Sequence, residues 1–237
     1  MANTHSLDLE LSSSQYATAA DSASTSITGN LTLEAWVKLE QLPSVAGSTF
    51  TIVAKWHSGG AARSYQWVIS DSGNVMYFTP SDDGAGAPAG NSNTPIVAGV
   101  WTHLAVAYNA SGGACTFYVN GVADGAPTGL DTSIHNNASE FAIGASNHQT
   151  TASVFFDGLI DEVRLWSETR SAANIAAFYQ QELIGNETNL NAYFKLNNGY
   201  LDETVNNNDL TAVGIPVFST NVPFLGQNTS GLQSKIW

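Results

Sequence analysis

Residues Phe156 to Ser171, FDGLIDEVRLWSETRS, set the reading of the whole chain. Apolar and polar residues alternate from Gly158 to Trp166 with the period of a β-strand. Strict alternation places Leu159, Asp161, Val163 and Leu165 on one face and Ile160, Glu162, Arg164 and Trp166 on the other. A carboxylate thus stands in an apolar row. An ionised Asp without partners is costly to take out of water, so Asp161 needs a cation, backbone N–H donors or a strand end open to water. Beyond the strand the period changes. Ser171 to Leu183, SAANIAAFYQQEL, predicts one short helix with Ser171 as its N-cap, Gly185 past its end, and Ile175, Phe178 and Tyr179 as anchors.

Outward from this stretch, period-two runs recur: SLDLEL, NLTLEAWVKL, TFTIVAKW, SYQWVISD, NVMYFTP, WTHLAVAYN, ACTFYVNG, SEFAIGAS and NLNAYFKL. Turn residues separate them, as at Asp71-Ser72-Gly73-Asn74, Ser111-Gly112-Gly113 and Asn120-Gly121. The pattern predicts an antiparallel, hairpin-rich chain. Ser81 to Pro95 is a long Gly/Pro/Asn loop. With no linker long enough to divide domains, one domain is expected over residues 1–237, ending in an irregular tail from about residue 215.

Composition agrees. Hydrophobic residues are 43% of the chain, charged residues only 11%, and there are 21 glycines, which suits many half-buried strands joined by turns. The net charge of −13 repels phosphate backbones and anionic lipid heads, so nucleic acid is not an expected partner. The same carboxylates are hard oxygen ligands of the kind Ca²⁺ takes. No apolar run approaches the roughly 20 residues of a membrane span, so membrane insertion is not expected. The N-terminus lacks the basic and apolar segments of a secretory signal. Cys115 is the single cysteine, and its place in ACTFYVNG, alternating with Phe117 and Val119, reads as a small buried apolar residue.

Three stretches in order, LDLELSSSQYATAADSASTSITGNLTLEAWVKL, WTHLAVAYNASGGACTFYVNGV and FDGLIDEVRLWSETRSAANIAAF, resemble the laminin G-like domains of the concanavalin A-like lectin/glucanase superfamily. The resemblance runs from Leu7 to about Val213. It implies an all-β fold, a concanavalin A-like jelly-roll sandwich of two antiparallel sheets with one short helix. It also implies structural Ca²⁺, held by Asp161 together with Asp21 and the turn that follows it, Gly29 and Asn30 included. The glucanases of the superfamily carry paired carboxylates in a Glu-x-Asp-x-x-Glu or related pattern, which does not occur here, so an enzyme is not expected.

A second oxygen-rich cluster, Asp202, Asn206, Asn207, Asn208 and Asp209, lacks the Gly and terminal Glu of an EF-hand loop and reads as a self-bonded turn. Ligand-binding candidates sit where strands give way to loops. Trp56 stands where TFTIVAKW gives way to HSGGAARS, which holds His57 and Arg63, Asp82 and Asp83 open the long loop, and Asn147 and His148 lie in the Ser146–Ser153 loop. Trp56 is either a rim aromatic for stacking on a sugar or a packing residue. The expected function is an extracellular, cell-surface or virion-surface recognition module that binds a glycan or glycoconjugate, for adhesion or targeting. A protein-binding or structural jelly roll, and a divergent polysaccharide-degrading enzyme, are the alternatives.

Overall fold

The computed structural model describes residues 3–57, 59–146 and 153–224. In chain order the first strands are β1 (Ser6–Leu9), β2 (Tyr16–Ala19), β3 (Leu31–Leu39), β4 (Phe50–His57) and β5 (Ala62–Ile69). Then come β6 (Met76–Pro80), β7 (Gly90–Asn91), β8 (Thr102–Asn109), β9 (Ala114–Val119) and β10 (Val122–Ala123). The last are β11 (Phe141–Ile143), β12 (Gly158–Trp166), β13 (Leu190–Phe194), β14 (Thr211–Val213) and β15 (Val217–Ser219). They form two antiparallel sheets. The first runs β10-β9-β8-β3-β12-β1-β15 with β13 also paired to β12, and the second runs β14-β2-β11-β4-β5-β6-β7. All ten alternating runs are strands.

The sheets pack face to face over one apolar core, in which Phe141 of the second sheet stacks on Phe194 of the first at 5.8 Å and Phe78 meets Tyr108 at 5.5 Å. The turn from Asp157 into β12 needs glycine. Gly158 has φ +128°, and a Cβ there would stand 2.3 Å from the Lys38 carbonyl oxygen across the strand pair.

Among the described residues two α-helices are present rather than one. The four-residue α1 (Pro43–Ala46) starts on Pro43 and ends on the left-handed Gly47, a signal too short for helical periodicity to register. The expected helix is α2 (Ala172–Phe178), with the Ser171 hydroxyl accepting from the Asn174 amide as foreseen. It stops short of Leu183. From Phe178 onward, sheet side chains capture the carbonyls: Arg164 donates to those of Phe178 and Gln181, and Trp36 Nε1 to that of Tyr179. The region after residue 215 is not wholly irregular, since β15 pairs with β1 at the sheet edge.

Candidate functional site

The position of Asp161 turns on one extra residue. Along β12 the pairing with β3 advances three residues from Asp161 to Arg164 while β3 advances two, from Trp36 to Glu34, which is a β-bulge. Glu162 adopts φ +53° at that point. The bulge resets the alternation, so Ile160, Val163 and Leu165 face the core while Asp161, Arg164 and Trp166 face outward. The strict alternation read from the sequence is therefore wrong for half the strand, and the apolar row that held Asp161 does not exist.

That outward face is nevertheless closed to water, because α2 and the segment after it lie on it. Ile175 packs against Ala105, Ala107 and Tyr118, and Leu183 against Trp166, Leu190 and Tyr193. Asp161 is buried and accepts from Asn3 Nδ2 at 2.7 Å and from the Glu162 amide at 2.9 Å. Burial and then the neighbouring Glu162 charge hold its carboxyl protonated well above the usual range. Burial likewise pushes Glu162 up to about 7, against the pull of Arg164 Nη2 at 2.9 Å and the Tyr193 hydroxyl at 2.7 Å. Glu34 goes the other way. Burial raises it, but His103 Nε2 at 3.4 Å, with Arg164 and Arg170, outweighs burial and leaves it lowered.

The calcium set implied by the resemblance is not assembled. Asp161 is on the outer face of the first sheet, whereas Asp21 is tied to the second sheet by Lys55 Nζ at 2.6 Å and also accepts from Ser26. Asn30 Oδ1 accepts from the Ala110 amide, and no atom approaches within 4 Å of the position a Gly29 Cβ would take. A cation at Asp21 would have to displace a buried ammonium. These residues do not fit a shared calcium. Among the described residues, one group of carboxylates, Asp8, Glu10 and Glu40, brings its oxygens within 4.8 Å of one another. Sequence reading missed it because Glu40 joins the other two only through the pairing of β1 and β3 on either side of β12. The Asx cluster near residue 202 is the self-bonded turn expected, with Asp202 accepting from the amides of Tyr193, Thr204 and Asn208.

The recognition loops divide into two groups. The Arg63 amide donates to Gly84 O, so the β4–β5 hairpin and the Asp82/Asp83 loop are neighbours. The Ser146–Ser153 bridge lies toward the opposite end of β4, where the Thr51 amide donates to Val154 O, roughly 15 Å of strand away. The described ends of these loops therefore stand at two ends of β4, and Asn147 and His148 lie outside the described residues. Trp56 is 7% exposed, with the Arg63 guanidinium 5.4 Å from its ring centre, so it is not free to stack on a ligand. His57 is also buried, its Nδ1 beside the Gly59 amide at 3.1 Å. The Asp82 amide donates to Asp131, and Asp83 Oδ1 caps the Ala85 and Gly86 amides, which lowers its pKa. The carboxylates that shape this loop are those of Asp83 and Asp131.

Cross-strand register identifies a different surface. Thr211, Thr18, Ala142, Ala54, Gln66 and Thr79 form one row on the outer face of the second sheet. Thr51, Val68 and Tyr77 form a second row, and the Trp56–Arg63 pair forms part of a third. Ala142 and Ala54 are fully buried between larger neighbours in their row, while Gln66, Tyr77 and Arg63 are partly exposed. Among the described residues, no helix covers this face and these rows contain no carboxylate. The missed signal was the bulge at Ser64 in β5, which turns Arg63 to the face that holds Trp56, Ala54 and Gln66.

Comparison with known proteins agrees with this architecture. No curated protein matches the chain. Among solved structures, a candidate carbohydrate-binding protein from Bacteroides ovatus is 18% identical with a TM-score of 0.69, covering 94% of this chain; this chain spans 61% of that one. A heptameric SAP-like pentraxin from Limulus polyphemus is 11% identical with a TM-score of 0.65, over 91% of this chain and 94% of its own. A sialidase CBM40 from Ruminococcus gnavus, bound to α2,3 sialyllactose, is 12% identical with a TM-score of 0.57, over 75% of this chain and 97% of its own. At these identities the likeness is one of fold. The family model that matches residues 11–176, more than half of the chain, carries the assignment further: this protein belongs to the concanavalin A-like lectin/glucanases superfamily.

Proposed function

We propose that the chain is a non-catalytic carbohydrate-binding module acting outside the cell, on a cell or virion surface, for adhesion or targeting, and that it reads glycans on the outer face of the second sheet. One observation carries this. The first sheet's outer face is closed by α2, whereas the second presents a guanidinium laid on an indole beside a neutral row in which Gln66 is partly exposed. Planar amide and guanidinium groups grip sugar hydroxyls, and the ring of Tyr77 offers an apolar plane on the same face. Family membership and the carbohydrate-binding relatives named above support the ligand class.

The absence of carboxylates from these rows supports the non-catalytic reading, because a retaining glycosidase needs two carboxyls about 5 Å apart. A shallow, wet face of this kind binds each sugar weakly and gains strength by multivalency. The test is a glycan array probed with the chain displayed in many copies, followed by Arg63→Ala and Gln66→Ala. Binding to at least one glycan, weakened about tenfold by either variant, is the expected result. A blank array with a stoichiometric protein partner would instead support a protein-binding jelly roll. Release of reducing ends from a polysaccharide would overturn the non-catalytic reading.

A further inference from the structure

A cleft of about 290 Å³ opens between α2, the end of β12 and the turn before β13, on the opposite side of the sandwich from the proposed glycan face. Its floor is Trp166 and Leu183, both buried, and one wall is the ring of Phe178, which is 41% exposed. The rim carries Asn174, Thr188 and Asn189, all exposed. This volume is close to the lower end for small-molecule sites, about 300 Å³, and suits one ring rather than a chain of them.

The charges around the cleft are already engaged. Glu168 accepts from Arg170 Nη1 at 3.3 Å and from Asn189 Nδ2 at 2.8 Å. Glu187 uses both oxygens on the amides of Ile184 and Gly185, at 2.8 and 2.9 Å. Arg170 lies over the Trp166 ring at 3.7 Å and points Nε at Glu34, 3.3 Å away. An ionic ligand would have to break one of these pairings. Neutral groups remain on the rim, the side chains of Asn174 and Thr188 and the side-chain Oδ1 of Asn189, and in the floor the Trp166 indole N–H is buried without an acceptor. An exposed aromatic ring beside one uncommitted amide, an amide oxygen and a hydroxyl is the complement of a molecule with an apolar C–H face and a hydroxylated edge.

We propose that this cleft is a second, independent site for a single uncharged sugar ring. With the outer face of the second sheet it makes the module two-sided, able to hold two glycan ends at once and to gain from the effective concentration that such linkage provides.

The experiment is an amide and indole NMR titration of the whole chain with the methyl glycosides of glucose, galactose, mannose and arabinose. Glucosamine and N-acetylneuraminic acid serve as charged comparisons. At least one neutral glycoside should move the Trp166 indole signal together with the amides of Asn174, Phe178, Thr188 and Asn189. Phe178→Ala should weaken that binding about tenfold, the worth of one stacked ring, and Asn174→Ala, at an exposed helical position, should weaken it without disturbing the fold. Gln66→Ala should leave it unchanged, which separates this site from the glycan face. Shifts that Gln66→Ala abolishes, no shift with any neutral glycoside, or tighter binding of a charged sugar would each overturn the proposal.

Discussion

The outer faces of the two sheets use polar residues for opposite ends. On the first sheet, Glu34, Asp161, Glu162, Arg164 and Arg170 are all at least nine-tenths buried beneath α2 and its following segment. On the second, the cross-strand rows are neutral apart from Arg63, and several of their side chains reach solvent. The comparison teaches that charge in this protein, Arg63 apart, marks attachment rather than recognition. Arg164 shows how. It reaches from the strand to the Phe178 and Gln181 carbonyls, where the helix end is electron-rich and a cation is favoured, while Glu162 and Glu34 balance it from the sheet.

The sharpest way to break this comparison is to remove the charge that holds the helix. Arg164→Leu leaves Glu162 and Glu34 buried with less compensation and frees two carbonyls, so we expect a loss of about 3–5 kcal/mol in urea unfolding at neutral pH. Loss below about 1 kcal/mol would place the arginine among ordinary surface residues. A companion test uses pH. The folded state holds the Asp161 and Glu162 protons more tightly than the unfolded chain does. Their contribution is therefore fully present below the ordinary carboxylate values of 3.8 and 4.5 and is lost as pH rises through their raised values, about 7 for Glu162. Glu34, whose pKa is lowered, contributes above 4.5 and fails as pH falls below it. Stability should peak between the two windows. Asp161→Asn should flatten the decline on the alkaline side, and an unchanged slope would contradict the assignment.

Most of the architecture was legible because alternation survives wherever one face of a strand is buried. The ten alternating runs became strands, and Ser171 capped a helix at the expected place. The failures share a physical cause. A bulge inserts one residue and inverts every later side chain, and no composition signal marks Glu162, a non-glycine residue at φ +53°, as its location. The same blindness hid the shared face of Arg63 and Gln66. Short edge strands such as β14 and β15 went unseen because three residues carry too little periodicity to read. Loop clustering was beyond reach, since whether two loops meet depends on which end of a strand each one leaves.

On the open face the expected effect on folding is small and the effect on binding is larger. Gln66→Ala and Arg63→Ala should each change unfolding free energy by no more than about 0.5 kcal/mol, because both side chains are partly exposed and bear little of the core. If Arg63→Ala instead destabilises by about 2 kcal/mol or more, its guanidinium serves to cover Trp56, and the face loses its main hydrogen-bond donor.

The smallest expected effect separates the two regions from the calcium reading. A structural cation bound only in the folded state stabilises by mass action, so its removal must lower the melting temperature. Asp161 is already met by an amide, a side-chain donor and a retained proton, and Asp21 by an ammonium at 2.6 Å. Each carboxyl is thus partnered without a metal. We expect no change in melting temperature on adding a chelator, and none that depends on Asp161. A chelator-sensitive transition abolished by Asp161→Asn would reinstate the shared site. A sensitive transition abolished instead by Asp8→Asn or Glu40→Gln would move the cation to the carboxylates whose oxygens lie within 4.8 Å of one another, and would leave the buried charges of the helix-covered face as attachment alone.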